Sequence, residues 1–205
     1  MIARRTLLGA GIVMSGLSET VGPHAAAQTT GGTGQRIDDK PVATTGYGKV
    51  RGITSDGVHT FKGIPYGAST AGSGRFRPPQ PPAPWTDVRE AIAFAPMCPQ
   101  VTNPLPPLFS SWTFDKDMSE DCLALNIWTP GLNDGRRRPV MVWFHGGDFS
   151  SLSGSRNVFD GTNLARKGDV VVITLNHRLN LFGYLYLAQL VPDLPDSGTA
   201  GLLDL

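Results

Sequence analysis

The residues best suited to chemistry lie in one run, His145-Gly146-Gly147-Asp148-Phe149, directly after the five apolar residues 140–144. Glycine takes positive φ without strain, and it leaves no Cβ between a peptide N–H and whatever lies beside it. Successive N–H groups exposed in such a turn form a ready anion site, so the chemistry suggested at the Gly146-Gly147 pair is stabilisation of an oxyanion. For the glycine pair alone, a plain tight turn ending a strand is the competing reading. The four histidines, His24, His59, His145 and His177, show no ligand spacing with one another or with the two cysteines, Cys98 and Cys122. No metal site is therefore expected.

The elements that must position this turn can be read outward from it. Residues 140–144, Val-Met-Val-Trp-Phe, are too few for a globular helix and rich in β-branched and aromatic types, so they read as a strand buried on both faces. Residues 123–128 alternate apolar and polar before Thr129-Pro130-Gly131 and read as a second, antiparallel-capable strand. After a serine-rich loop, residues 150–155, a short helix is expected: Asp160 caps it, Leu164 and Ala165 face inward, Arg166 and Lys167 suit its C-terminal end and Gly168 ends it. Residues 170–175 are another buried strand. Strand, helix, strand is a βαβ crossover, which makes the core sheet at least partly parallel. Asn176-His177-Arg178 leaves that strand, and residues 179–190 carry enough apolar side chains for a short helix.

Upstream, residues 42–50, Gly52-Ile53 and residues 58–64 alternate between glycines and Ser55-Asp56-Gly57, the pattern of a hairpin or meander. Residues 75–82, Arg-Phe-Arg-Pro-Pro-Gln-Pro-Pro, must be an extended surface segment, because proline donates no hydrogen bond and restricts the residue before it. The first 27 residues read as a secretion signal of twin-arginine type: Arg4-Arg5, an apolar run to Leu17, and Ala25-Ala26-Ala27 for cleavage before Gln28. That run is too short and glycine-rich to span a membrane, so no stable membrane anchor is expected. Residues 28–40 read as a flexible linker. In an exported protein an even pair of cysteines favours a disulfide over two thiols, and closing the loop between Cys98 and Cys122 would contribute about 3 kcal/mol in the chain-entropy picture.

The totals fit this. A 205-residue chain with 40% hydrophobic residues and a net charge of +1 can form one domain with a core, and nothing in it favours a polyanion partner. The single basic cluster, Arg136-Arg137-Arg138, stands in a turn beside Gly131, Asn133, Asp134 and Gly135, and reads as solvated rather than as a nucleic-acid surface.

Six collinear stretches resemble the N-terminal part of the type-B carboxylesterase and cholinesterase family of the α/β-hydrolase fold. They are Gly63-Ile64-Pro65-Tyr66, Arg75-Phe76-Arg77-Pro78-Pro79, Ser119-Glu120-Asp121-Cys122-Leu123-Ala124-Leu125-Asn126, the His145 to Phe149 run, Asn176-His177-Arg178 and Gly201-Leu202-Leu203-Asp204. The resemblance covers residues 41–205. It implies an α/β class, with an antiparallel hairpin region leading into a mostly parallel central sheet. It also implies an oxyanion hole donated by the Gly147 and Asp148 N–H groups with Gly146 making room for the turn, a disulfide between Cys98 and Cys122, and a structural ion pair between Arg75 and Glu120. His145 belongs to the loop scaffold in that family rather than serving as base. Many relatives have Gly or Ala where this chain has Asp148, and a carboxylate there would oppose an oxyanion unless it turns away. His177 stands where relatives usually carry an aromatic residue, and Gly67 where many carry alanine; neither departure is expected to touch the chemistry.

A hydrolase of this kind needs a Gly-x-Ser-x-Gly elbow followed by an acid and a histidine. No such pentapeptide occurs; Ser69, in Gly67-Ala68-Ser69-Thr70-Ala71-Gly72, precedes the central strands and reads as loop. The resemblance places the elbow beyond Leu205. The expectation is the N-terminal portion of an exported serine hydrolase that acts on a small-molecule carboxylic ester through an acyl-enzyme, needs no cofactor, and is inert without its catalytic triad. Two alternatives stay open: a catalytically dead cholinesterase-like binding protein, and a lipase or a lactone- or carbamate-cleaving enzyme on the same scaffold.

Overall fold

The computed structural model describes residues 40–101 and 117–205. The leader expected at residues 1–27, nearly all of the linker expected at 28–40, and most of the proline-bearing stretch between the cysteines lie outside the described residues. The chain divides into Met1–Gly34 and Gln35–Leu205, and the description below concerns the second unit.

Two sheets form. In the smaller, β1 (Val42–Thr44) pairs antiparallel with β2 (Lys49–Arg51), which pairs parallel with β5 (Arg89–Glu90). The larger has five strands in the order β3 (Ile53–Ser55), β4 (Val58–Pro65), β6 (Ala124–Thr129), β8 (Val171–Leu175), β7 (Val140–Phe144). Asp56 and Gly57, at φ 52° and 74°, close the β3–β4 hairpin; two successive positive φ angles give the turn the twist that paired strands need. β4 and β6 run antiparallel, with a register shift between Phe61 and Ile64. Gly63 sits inside that irregularity at φ 69°, and its N–H donates to Asn126 Oδ1 at 3.0 Å, so a side-chain amide replaces the lost ladder bond.

The sheet changes character at β8. That strand is antiparallel to β6, with Ile127 opposite Ile173, and parallel to β7, with Val142 opposite Ile173. Helix α1 (Thr162–Gly168) makes the crossover between β7 and β8, as the strand-helix-strand pattern requires. Ala165 from α1 packs with Val58, Trp128 and Val172. The helix lies close because Gly161 precedes it, where a Cβ would meet Val172 and Trp128 at 2.8–2.9 Å. A second cluster joins Val50, Phe61, Ile64 and Ala91 between the two sheets.

Several sequence expectations change in detail. The strand at 140–144 is not buried on both faces: Val140, Met141, Val142, Trp143 and Phe144 are 57, 47, 45, 49 and 50% exposed. Among the described residues β7 pairs with β8 alone and α1 packs over β4, β6 and β8 rather than over β7, so neither face of the strand is covered. In α1, Leu164 is 47% exposed and Ala165 alone is buried. Asp160 caps the helix as expected, its Oδ1 accepting from the Thr162 N–H at 2.9 Å, with Gly161 between them at the helix start. Gly168 is the last helical residue, and the left-handed cap expected of glycine is taken by Asp169 (φ 48°). The helix expected within 179–190 is a single short piece, α2 (Asn180–Tyr184).

Two arginines of the basic triplet are bound into their own turn. Arg138 contacts Asp134 and Asp169, and Arg136 reaches Asp169. The Arg138 guanidinium holds the Asp134 carboxyl down to about 2. The ion pair between Arg75 and Glu120 forms as a two-pronged contact, Nε to Oε2 at 2.6 Å and Nη2 to Oε1. Cys98 and Cys122 are brought together but are not bridged, which corrects the disulfide expectation: they are two buried thiols in one cluster with Leu123 and Leu179. A hydrogen bond from Cys122 and the Leu179 N–H at 3.2 Å favour the Cys98 thiolate, while that same bond and burial push Cys122 up.

Candidate functional site

The five residues after Phe144 build a turn whose two carbonyls are both tied inward. His145 is 6% exposed, and its Nδ1 lies 2.8 Å from the Gly146 carbonyl oxygen. A carbonyl only accepts, so Nδ1 carries the proton and the ring donates. Burial pushes the His145 ring down to about 4, and His177 and Arg156 nearby push it the same way. The ring is thus neutral near pH 7, with Nε2 buried and without a hydrogen bond among the described residues. These are the properties of a scaffold histidine rather than of a base reaching for a proton.

The next carbonyl, that of Gly147, accepts four bonds: from the Ser150 and Ser151 N–H groups at 3.0 and 3.1 Å, and from their hydroxyls at 3.0 and 3.3 Å. In a trans peptide the C=O and the following N–H point in opposite directions. Turning the Gly146 and Gly147 carbonyls inward therefore turns the Gly147 and Asp148 N–H groups the other way. Among the described residues neither N–H donates to a hydrogen bond. Two successive main-chain donors are left for an anionic oxygen.

Gly147 makes this backbone path possible, and the tight turn is made there rather than at Gly146. Its φ is 109°, and a Cβ at this position would collide with the Ser151 carbonyl. At Gly146 a Cβ would meet nothing within 4 Å, so glycine there leaves an open face beside the donors. Asp148 and Phe149 follow with φ of 56° and 57°. Three consecutive positive φ angles, two on residues with a Cβ, concentrate backbone strain at the turn, which persists because the surroundings fix it. Asp148 is exposed. Phe149 sets its ring edge-on to Tyr184 at 5.2 Å.

What fixes the turn is a set of side-chain amides. The Phe149 carbonyl accepts from the Asn180 N–H at 2.7 Å, at the start of α2, and Asn180 Nδ2 donates to the Pro99 carbonyl at 2.8 Å. Gln100 grips Leu152 at both ends of its amide: Oε1 accepts from the Leu152 N–H at 2.7 Å and Nε2 donates to its carbonyl at 2.9 Å. Further on, the Gly154 N–H donates to Asn176 Oδ1 at 2.9 Å and its carbonyl accepts from the Thr174 hydroxyl at 2.7 Å. Asn126 Nδ2 donates to that hydroxyl oxygen at 3.0 Å. Asn126, Thr174 and Asn176 are buried, so these bonds are shielded from water and costly to leave unmade. Reading the sequence gave Asn126 and Asn176 no role beyond their motifs and passed over Gln100, Asn180 and Thr174. The usable signal was polar side chains at or beside apolar strands, which must find partners once buried.

Behind β8, Arg178 forms a buried network. Its Nε donates to Asp204 Oδ2 at 2.9 Å, its Nη2 to Oδ1 at 2.6 Å and its Nη1 to the Arg77 carbonyl at 2.7 Å. One guanidinium thus joins the end of β8, the helix α3 (Ala200–Leu203) and the proline-rich segment. Among the described residues no group of three or more His, Cys, Asp or Glu is gathered that could hold a metal ion.

Residues 39–205 match the model of the Carboxylesterase family. The chain is similar to the para-nitrobenzyl esterase of Bacillus subtilis (strain 168), at 45% identity over 163 residues, 80% of this chain and 32% of that protein. It is similar to the fumonisin B1 esterase of Sphingopyxis macrogoltabida, at 42% identity over 173 residues, 83% of this chain and 31% of that protein. Among solved structures it resembles a carboxylesterase of Geobacillus stearothermophilus, with a TM-score of 0.70 and 45% identity, covering 80% of this chain and 32% of that one. An esterase of Clostridium hathewayi gives a TM-score of 0.73 at 39% identity, covering 83% of this chain and 34% of that one. The chain thus spans about a third of the length of the relatives it matches. With the family's model matched over residues 39–205 and the fold shared with solved carboxylesterases over that span, the chain belongs to the carboxylesterase family.

Proposed function

We propose that the protein to which this chain belongs is a serine hydrolase of carboxylic esters, in which the Gly147 and Asp148 N–H groups hold the oxyanion of the tetrahedral intermediate. One observation carries the reading. Both preceding carbonyls are tied back, to His145 and to Ser150 and Ser151, so two successive N–H groups are left unbonded beside an open face. Donors held ready for charge that develops only in the transition state lower the barrier, typically by about 3 kcal/mol each. The nucleophile, acid and base are assigned to residues that follow Leu205, and attack by that serine forms an acyl-enzyme which water then hydrolyses. The substrate is a small-molecule ester. Arg4-Arg5 and Ala25-Ala26-Ala27 support export from a bacterial cytoplasm by the twin-arginine route.

The test begins with the reading frame after the codon for Leu205. Continuation into a Gly-x-Ser-x-Gly elbow, with a later acid and histidine, and hydrolysis of p-nitrophenyl acetate or butyrate by the full-length protein are expected. An elbow without serine, or a folded full-length protein inert towards both esters, would overturn the proposal.

A further inference from the structure

The ring of His177 stacks on that of His145, with centroids 4.6 Å apart and planes inclined by 20°. His145 in turn holds the Gly146 carbonyl, and so sets the direction of the Gly147 N–H. His177 is fixed from its other side, because its Nδ1 donates to the Arg178 carbonyl at 3.1 Å. It is 3% exposed. The chain of support therefore runs from the end of β8 through two imidazoles to the peptide that carries the first donor.

We infer that His177 is a positioning residue for the Gly147 and Asp148 donors, and that the stack works only while both of its rings are neutral. This rests on the proposed role of those two N–H groups. The charges around the stack give the sign. His145 faces His177 and the Arg156 guanidinium; Arg156 is itself nine-tenths buried, with an Nε that has no hydrogen bond among the described residues. His177 faces the His145 and Arg178 carbonyls and, as its nearest acid, Asp204, which is already bound twice over by Arg178. A proton added to His145 thus lands in a buried site with a second imidazole and an arginine close by, and one added to His177 lands in a buried site whose nearest carboxylate is already committed to Arg178. Burial accordingly lowers the pKa of both rings. Acidification would charge the stack and drive the two rings apart; the His145 imidazolium keeps its Nδ1 bond to the Gly146 carbonyl and so carries that carbonyl with it as it moves. The 146–147 peptide would then turn, and a donor would be lost without any change in the residues that bind substrate.

The inference makes His177→Phe and His177→Ala behave differently in the full-length enzyme. Phenylalanine keeps a flat ring on His145 but cannot titrate; alanine removes the ring. With p-nitrophenyl acetate at neutral pH, His177→Phe is expected to keep kcat within about threefold of the parent, whereas His177→Ala lowers kcat by about tenfold or more with little change in KM. On the acid side His177→Phe should hold its activity to lower pH than the parent, with a shallower decline, because one of the titrating groups is gone. Nitrogen-15 NMR of the histidine rings supplies a reading independent of turnover. It should show His145 protonated at Nδ1 in the parent and in His177→Phe, and a loss of that single tautomer in His177→Ala. Superimposable acid limbs for the parent and His177→Phe, or an unchanged His145 tautomer in His177→Ala, would overturn the inference. A parent enzyme that hydrolyses no ester at any pH would overturn the proposed function instead, and the NMR arm would still judge the stack.

Discussion

Arg178 and Asp204 close a fully buried, two-pronged ion pair, with side chains 2 and 0% exposed, and the Arg178 N–H adds a third contact to the same carboxylate at 2.9 Å. Nearly every polar atom of the pair is therefore used, which is the condition for a buried pair to be tolerated at all. Arg75 and Glu120 have similar geometry, but the Arg75 side chain is 44% exposed. Equal geometry in unequal surroundings predicts unequal energies.

Removing one partner of the inner pair leaves the other charged, buried and unmatched. Arg178→Ala and Asp204→Ala are each expected to lower stability by roughly 3–5 kcal/mol, and replacing both by apolar residues of similar volume should recover much of the loss. For the outer pair, Arg75→Ala should cost several-fold less, and its effect should shrink further in high salt, since water already solvates the guanidinium. Urea unfolding of the four variants in the full-length protein checks both statements. Equal losses at the two sites would contradict them.

At the turn, Gly147→Ala is expected to cut the rate of ester hydrolysis by the full-length protein sharply while the global fold survives. The new methyl meets the Ser151 carbonyl and the backbone φ of 109° is closed to alanine, so the 147–148 peptide must rotate. Losing one aligned donor reduces kcat by about 100- to 1,000-fold. Gly146→Ala adds a methyl to open space and should leave stability nearly unchanged, showing itself instead in KM, as crowding of the bound ester. Steady-state kinetics on the two variants, with circular dichroism as the control for folding, distinguish these outcomes.

The edge strand β7 carries a third prediction. Five consecutive large apolar residues stand roughly half exposed on a strand with one bonded neighbour. Such an edge offers unpaired backbone groups and apolar side chains together, the combination that drives strand-to-strand association. The 205-residue chain alone is expected to form oligomers whose size grows with concentration, as read by light scattering, and Val142→Lys should reduce that growth. A monodisperse monomer across a wide concentration range would contradict the prediction.

The same strand shows what could and could not be read in advance. Its residue types disclosed a strand, and the Asp160-to-Lys167 pattern disclosed the crossover, because both signals are local. That Val140–Phe144 would be half exposed depends on which elements pack over its faces, which no local pattern encodes. The turn was legible because the φ of 109° at Gly147 selects glycine, though Asp148 and Phe149 take positive φ without it. Its supports were not, since Gln100 meets Leu152 across 52 residues and Asn176 meets Pro96 across 80, and the pairing of amides with distant backbone leaves no periodic trace. Cys98 and Cys122 were correctly placed together, but proximity does not determine redox state.

Acid stability follows from the two stacked imidazoles, and its direction can be worked out from His145. In the unfolded chain this ring titrates near the ordinary 6.5; in the folded protein burial holds it to about 4. Above about 6.5 the ring is neutral in both states and contributes no pH dependence. Between about 6.5 and 4 the unfolded state binds the proton and the folded state does not, so stability falls as pH falls, by up to about 1.4 kcal/mol per pH unit for one such group. Below about 4 both states are protonated and the dependence levels off, with roughly 3 kcal/mol lost. The lowered His177 ring acts in the same direction. Urea midpoints of the full-length protein measured from pH 7.5 to 4 should therefore decline steadily below about pH 6.5, and His177→Phe should decline less steeply. A flat profile over that range in the parent would mean that the folded state accepts protons at the stack as readily as the unfolded chain does.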